Sequence, residues 1–147
     1  MKVLLIEADN DFAAPIAYAL NNADMETAVC FTAMEAVGAL QLEPPDIILL
    51  RSARDYHPIG LLRTLKGIRR VPILILEPWP QNDEEYLRRV VEALDMGADD
   101  YIRAPQNMRE IEARIKSLVR RTQEYTLLAP MPVRQKPNLR LVPKVTK

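Results

Sequence analysis

The sequence predicts an α/β fold in which a doubly wound, five-stranded parallel sheet is covered by helices on both faces. Short apolar runs alternate with segments of helical periodicity over residues 1–121, and one run, 47–50, lies between Pro44–Pro45 and Arg51. A continuous apolar run bounded by turn signals is typical of a strand buried in a parallel sheet. Strands that alternate with helices in this way predict a (βα)5 architecture.

Local signals place the elements along the chain. Strands are predicted at residues 2–7, 25–30, 46–50, 71–76 and 100–103, and helices at 12–22, 32–42, 59–68, 82–96 and 107–121. Asp9 supplies helix-start chemistry for the first helix, and Pro15 falls in its first turn, where a missing N–H costs little. Thr32 and Glu35 form a T-x-x-E capping box for the second helix, which ends before Pro44.

The later elements follow from periodicity and stop signals. The third helix has apolar residues spaced for one face, and the fourth strand is the most apolar segment of the chain. Asn82 caps the fourth helix and Gly97 stops it. Asn107 begins the fifth helix, in which Ile111 and Ile115 share a face.

Composition limits the classes of function. The chain has 147 residues and equal numbers of basic and acidic groups, but residues 130–147 carry five basic residues and no acid. The rest of the chain is therefore acidic, which argues against a nucleic-acid surface on the folded part. A single cysteine, Cys30, excludes an internal disulfide, and the lone His57 excludes a His-rich metal site. No apolar stretch has the length of a membrane span, so we expect a cytoplasmic protein.

The chain divides into a folded part and a tail. Helical periodicity fades after Thr122, and Pro130, Pro132, Pro137 and Pro143 follow. We therefore expect a domain at residues 1–121 and a Pro-rich basic linker or tail at residues 122–147.

Three segments carry a resemblance to a known family. These are MKVLLIEAD at the start, PPDIILL in the middle, and GADDYIRAPQNMREIEARIKSLVRR at residues 97–121. In this order and spacing they resemble the receiver domain of bacterial two-component response regulators, in particular the branch that carries a winged-helix DNA-binding domain. The resemblance implies a receiver-like fold over residues 1 to about 121.

The resemblance also implies a phosphorylation pocket, and most of its chemical positions differ here. Receivers hold Mg²⁺ with two acids after the first strand; these fall on Glu7 and Ala8, followed by Asp9. The phosphate-accepting aspartate falls on Arg51, and the hydroxyl residue after the fourth strand falls on Glu77.

Around the fifth strand, one position differs from the resembled family and two agree with it. The lysine that binds phosphate in the family falls on Ala104. Pro105 and the aromatic residue of the family's switch, here Tyr101, are retained.

These changes predict a domain that accepts no phosphate on aspartate. Phosphoryl transfer needs a carboxylate nucleophile and a hard cation held by oxygens. The Arg51 guanidinium stays protonated and would repel Mg²⁺, while Glu77 would repel phosphate. We therefore expect no catalytic residue, no enzymatic activity, no metal and no cofactor.

Two hypotheses concern the region around Arg51. The first is that Arg51 forms an ion pair with Glu7, Asp9 or Glu77, and its alternative is that Arg51 turns into solvent. The second is that Asp55, four residues beyond the strand, is a displaced phosphate acceptor. We disfavour a displaced acceptor because no lysine or direct metal ligand would serve it.

A charged face is predicted on the fourth helix, fifth strand and fifth helix. In the resembled branch this face forms a two-fold dimer through salt bridges, so we expect a homodimer. The alternative is a solvated charged face. The residues assigned to the face are Arg89, Val90, either Asp99 or Asp100, Glu110, Arg114, Arg120 and Arg121.

Trp79 lies between Pro78 and Pro80 in the loop after the fourth strand. It is interpreted either as an aromatic anchor for a protein partner or as a side chain folded over the sheet edge.

Together these features predict a phosphorylation-independent signalling or dimerisation module in bacterial signal transduction or transcription regulation. The alternatives are a response regulator that uses Asp55 and a DNA-binding regulator that acts through the basic tail. We otherwise expect contact with DNA only through a separate effector domain, and no membrane partner.

Overall fold

The strands form because short apolar segments become buried between two layers of helices. The computed structural model describes residues 1–53, 56–77, 82–103, 107–127 and 143–145. The strands are β1 (Lys2–Ile6), β2 (Glu26–Cys30), β3 (Ile47–Arg51), β4 (Ile73–Glu77) and β5 (Asp100–Arg103). The helices are α1 (Asn10–Asn22), α2 (Ala33–Leu42), α3 (Ile59–Ile68), α4 (Asp83–Asp95) and α5 (Met108–Leu127).

The five strands form one parallel sheet in the order β2-β1-β3-β4-β5. The predicted fold class is therefore confirmed. The central strands β3 and β4 are almost entirely buried, as expected for a parallel sheet covered on both faces. Within this register Arg51 pairs with Leu76 and Glu77 with Arg103, so charged side chains end neighbouring strands at one edge.

Alternation along the strands divides the core into two clusters. Leu50 and Ile75 face the layer of α2, α3 and α4, while Leu49 and Leu74 face α1 and α5. Successive side chains of a strand point to opposite faces, so residues at the strand ends are also directed to one layer or the other.

Helix ends agree with the predicted capping signals. The Asp9 side chain caps α1, and Asn82 caps α4 by accepting a bond from the backbone of Glu85. Thr32 accepts a hydrogen bond from Glu35 N, as the predicted box requires, while the Glu35 carboxylate accepts one from the backbone N–H of Phe31, one residue before the cap.

Two helix boundaries differ from the predictions. Because Asp9 caps α1, the helix begins at Asn10, and Pro15 lies in the second turn rather than the first. The predicted end of the fifth helix at Arg121 is wrong, since α5 continues to Leu127. The predicted domain boundary near residues 121–123 therefore lies inside α5. No helix within the described residues is both long and apolar enough to cross a membrane.

Candidate functional site at the carboxyl edge of the sheet

Arg51 ends β3 and forms a buried ion pair with Glu7. Arg51 Nη1 lies 2.6 Å from Glu7 Oε2, and the two side chains are 9% and 7% exposed. The guanidinium carbon lies 3.7 Å from the centre of the Phe12 ring on α1, a cation–π contact. The predicted ion pair is confirmed with Glu7 as the partner, and the alternative of a solvent-directed Arg51 is wrong.

Glu7 is engaged through both carboxylate oxygens. Its second oxygen, Oε1, accepts a hydrogen bond from the backbone of Asp9 at 2.8 Å. Burial raises the pKa of Glu7 above its ordinary value, while the Asp9 amide and Arg51 oppose that rise. The Asp9 carboxylate in turn accepts a hydrogen bond from Asp11 N at 2.9 Å and caps α1.

Glu77 forms a second buried ion pair at the end of β4. It is fully buried, and Arg89 Nη1 lies 3.5 Å from its Oε1. The same nitrogen donates a hydrogen bond to the carbonyl of Ala53 at 2.9 Å. Burial raises the pKa of Glu77, and the Arg89 charge partly offsets that rise. The acid predicted to repel phosphate is thus bound to a cation from α4.

The prediction that Arg89 lies on an exposed dimer face is wrong. Arg89 is 5% exposed, because it faces inward from α4 toward Glu77. Its neighbour Val90 is partly buried against the core on the α2–α3–α4 side of the sheet. A helix presents successive residues about 100° apart, so the sequence pattern could not show which arginine of the 88–89 pair faces inward.

Tyr101 on β5 is turned into the core beside this second pair. It is 7% exposed, its hydroxyl lies 3.5 Å from Ser52 Oγ, and its side chain also hydrogen-bonds Glu77. Its ring packs edge-on against Tyr86, with centroids 6.0 Å apart. Burial raises the pKa of Tyr101 to about 12. Sequence reasoning missed Ser52, which is fully buried but looks like an ordinary loop serine.

The segment after β3 approaches α4 at two points. Arg89 bonds Ala53, and His57 Nε2 lies 3.6 Å from the Glu92 carboxylate. Burial lowers the pKa of His57, which favours the neutral imidazole. Neither contact was predicted, because partners on two separate elements leave no local pattern.

The site does not fit the Mg²⁺ that the resemblance implies. Ala8 has no side-chain oxygen, Glu7 is paired, and the charge of Arg51 lies where the cation would have to be. Among the residues that the structure describes, no group of three or more His, Cys, Asp or Glu side chains is placed to hold a metal ion.

Several predicted roles fall outside the described residues. These roles concern Asp55, Trp79, Ala104 and Pro105, as well as most of the tail, and they stay predictions.

Three charged residues of the predicted dimer face form ion pairs with one another within a single chain. Arg114 Nη1 lies 3.0 Å from Asp100, and Arg114 Nη2 lies 2.9 Å from Glu110. Asp99 is directed elsewhere, to Lys66 at 2.6 Å. Of the two acids offered by the sequence, Asp100 is therefore the one that joins the α5 charges.

The same face exposes apolar and basic side chains. On α4, Leu87, Val91 and Leu94 are 62%, 49% and 44% exposed and recur at helical spacing. Arg120 and Arg121 are exposed on α5, and Arg121 Nη2 lies 3.0 Å from Ser117 Oγ.

Known proteins with similar sequences are transcriptional regulators. The chain is 35% identical over 94 residues to the transcriptional regulatory protein KdpE of Mycobacterium tuberculosis, covering 61% of this chain and 39% of KdpE. It is 27% identical over 124 residues to the DNA-binding response regulator MtrA of Mycolicibacterium smegmatis, covering 84% of this chain and 52% of MtrA. The chain thus spans about two fifths to one half of these relatives. No protein-family profile matches it.

Solved structures show the same architecture. The BeF3-activated N-terminal receiver domain of Klebsiella pneumoniae RstA superposes with a TM-score of 0.70 at 27% identity. The match covers 82% of this chain and 99% of that domain.

Proposed function

Because the relatives and structural neighbours of this chain are receiver domains of two-component response regulators, we propose that it is a signalling module of this type that works without phosphorylation. It transmits a signal through protein contacts and catalyses no reaction. The names of the relatives support a role in bacterial signal transduction or transcription regulation.

The buried Arg51–Glu7 pair is the observation that carries this proposal. A phosphate acceptor needs an anionic oxygen at the end of β3, but that position holds a cation that is 91% buried and bound at 2.6 Å. Removing either member would leave an uncompensated charge in the interior, so the pair resists opening. The geometry favours a fixed structural link between β1 and β3 in place of a reactive group.

We further propose that the module is a homodimer through α4, β5 and α5. The exposed Leu87, Val91 and Leu94 on α4 would supply an apolar centre, and the charged cluster of Asp100 and Arg114 on β5 and α5 would supply polar contacts. Apolar centres with polar rims are the usual anatomy of protein interfaces. Contact with DNA would come through a separate effector domain.

Incubation with Mg²⁺ and acetyl phosphate, followed by intact-mass measurement, tests the absence of phosphotransfer. We expect no adduct of about 80 Da, the mass that one phosphoryl group adds. A phosphorylatable receiver domain treated in parallel serves as the positive control.

If an adduct does form, the variant Asp55→Ala shows whether Asp55 is the residue that carries it. An adduct that disappears in Asp55→Ala would establish the displaced acceptor and overturn the proposal. An adduct that persists in this variant would place the acceptor elsewhere and overturn it equally.

A further inference from the structure

A groove with a volume of about 550 Å³ runs along the outer face of α4. Three of its side chains are apolar and remain exposed: Leu87 at 62%, Val91 at 49% and Met96 at 42%. Exposed apolar surface that is bordered by charged residues is typical of a site that receives a partner. We propose that this groove binds the basic tail of the same chain, within residues 128–142.

The groove and the tail carry opposite charges. The charged residues that line the groove are three acids and one base, namely Glu84, Glu92, Asp95 and Arg88. Arg88 lies 3.8 Å from Glu92, whereas Glu84 and Asp95 form no ion pair within the described residues. Residues 128–142 contain three basic residues and no acid, with apolar residues between them. Such a segment can place apolar side chains on the groove and bases beside its acids.

The course of the helices brings the tail close to the groove. Because α4 connects two parallel strands, it runs from the carboxyl edge of the sheet back to the amino edge, where it ends at Asp95. The helix α5 also begins soon after a strand end, and it packs along the sheet as far as Val119 before it ends at Leu127. The tail therefore starts near the end of the sheet at which α4 ends.

The tail is long enough to cover the groove. With 13 residues α4 is about 20 Å long, whereas residues 128–142 can span up to about 50 Å when extended. Since the tail is covalently attached, its effective concentration at the groove is on the order of millimolar, so weak contacts suffice. Residues 143–145 are exposed, with Val145 at 91%, and the contact is therefore assigned to the segment before them.

A spin label at position 138 tests where the tail lies. The full chain with Cys30→Ala and Asn138→Cys carries one nitroxide, which broadens the ¹H–¹⁵N signals of nearby amides. We expect strong broadening at Val91 and Met96 on α4 and little at Met34, an exposed residue of α2. Broadening that is absent from α4, or equally strong at Met34, would overturn the proposal.

Mixed samples separate the chain's own tail from the tail of a second copy. A ¹⁵N-labelled chain without nitroxide is mixed with a nitroxide-labelled chain at natural isotope abundance. We expect much weaker broadening of the α4 signals in this mixture than in the singly labelled chain. Comparable broadening would assign the groove to the tail of another copy and reject the proposal.

Charge variants test how the tail is recognised. Arg134→Gln/Lys136→Gln/Arg140→Gln should reduce the broadening on α4 several-fold, because it removes the three bases. Asp95→Lys should also reduce it, whereas Glu26→Lys, exposed on β2 at the far edge of the sheet, should leave it unchanged. Native-like spectra of each variant serve as the control for folding. Equal effects of the two lysine variants would contradict charge recognition in the groove.

A docked tail would also compete with the proposed homodimer, which uses Leu87 and Val91. This consequence rests on the proposed function, whereas the docking itself does not. The variant that lacks the three bases should therefore self-associate several-fold more tightly than wild type in sedimentation equilibrium. Unchanged self-association would reject the competition. If both chains are monomeric, the homodimer is wrong, and the broadening still decides whether the tail docks.

Discussion

At the scale of single residues, the charged side chains at the ends of β3 and β4 form two separate buried pairs. Arg51 at the end of β3 is matched by Glu7, and Glu77 at the end of β4 is matched by Arg89. Each charge has a partner because an isolated buried charge costs several kcal/mol, by order of magnitude. A substitution that removes one charge therefore lowers stability mainly by leaving the partner charge buried and unpaired.

Arg51→Met should lower the free energy of unfolding by about 3 kcal/mol, because it leaves Glu7 buried without its cation. Glu7→Gln/Arg51→Met should regain at least half of that loss, since both charges are then absent. Urea denaturation of the four members of the double-mutant cycle measures the coupling between the two residues. Additive single effects would show that the ion pair contributes no coupling.

Tyr101 gives a pH dependence whose sign follows from its burial. Its pKa is raised from 10.0 to about 12 in the folded chain, so its contribution to stability is complete below pH 10 and is lost as the pH rises toward 12. Each unit of pH in that window changes the free energy of unfolding by up to about 1.4 kcal/mol. Tyr101→Phe should flatten this decline in urea denaturation between pH 9 and pH 11, values chosen to bracket the onset. If the free energy of unfolding of Tyr101→Phe declined as steeply as that of wild type, the decline would come from other titrating groups.

At the scale of elements, tight connections depend on backbone geometry that few residues adopt. Gly97 follows α4 with a φ of +110°, and Asp24 follows α1 with a φ of 61°. A side chain at position 97 would find ordinary contact with Lys66, so the difficulty there is the backbone angle rather than space.

Gly97→Ala should therefore lower the free energy of unfolding by about 1–2 kcal/mol. Gly38→Ala is the matched control, because Gly38 lies within α2 and a methyl group there meets no atom within 4 Å. The control should raise stability by about 0.5–1 kcal/mol, the usual gain for alanine over glycine in a helix. Chemical denaturation of both variants measures whether the free energy of unfolding changes in opposite directions. Equal changes would contradict the role assigned to the backbone angle of Gly97.

At the scale of the whole molecule, the surface proposed for self-association is formed by α4, β5 and α5. The α4 face exposes Leu87, Val91 and Leu94, and the Asp100–Arg114 cluster lies on the adjoining elements. In an isologous dimer each residue acts twice, so one substitution changes both halves of the interface.

Leu94→Glu should therefore weaken self-association by at least about tenfold, or 1.4 kcal/mol. Sedimentation equilibrium at tens of micromolar measures the change, with wild type expected as a dimer. Tyr18→Glu, at a position of α1 that is 72% exposed, should leave association unchanged. A monomeric wild type would contradict the proposed homodimer.

Local patterns in the chain were sufficient to predict the fold class, the order of the elements and the chemical nature of the strand ends. These features depend on local periodicity, on turn and capping residues, and on the position of Arg51 directly after an apolar run. The start of α1 was misplaced because the Asp9 cap sets it at Asn10. The end of α5 was misplaced because the helix continues through exposed residues 122–125, which show no apolar periodicity.

Which charges form pairs, by contrast, followed from the folded arrangement and not from local patterns. The sequence left Glu7, Asp9 and Glu77 open as partners of Arg51, and it placed Arg89 on the surface. Folding brings together residues 44 positions apart in the first pair and 12 apart in the second. Such pairing depends on sheet register and helix rotation, so no local pattern in the chain could specify it.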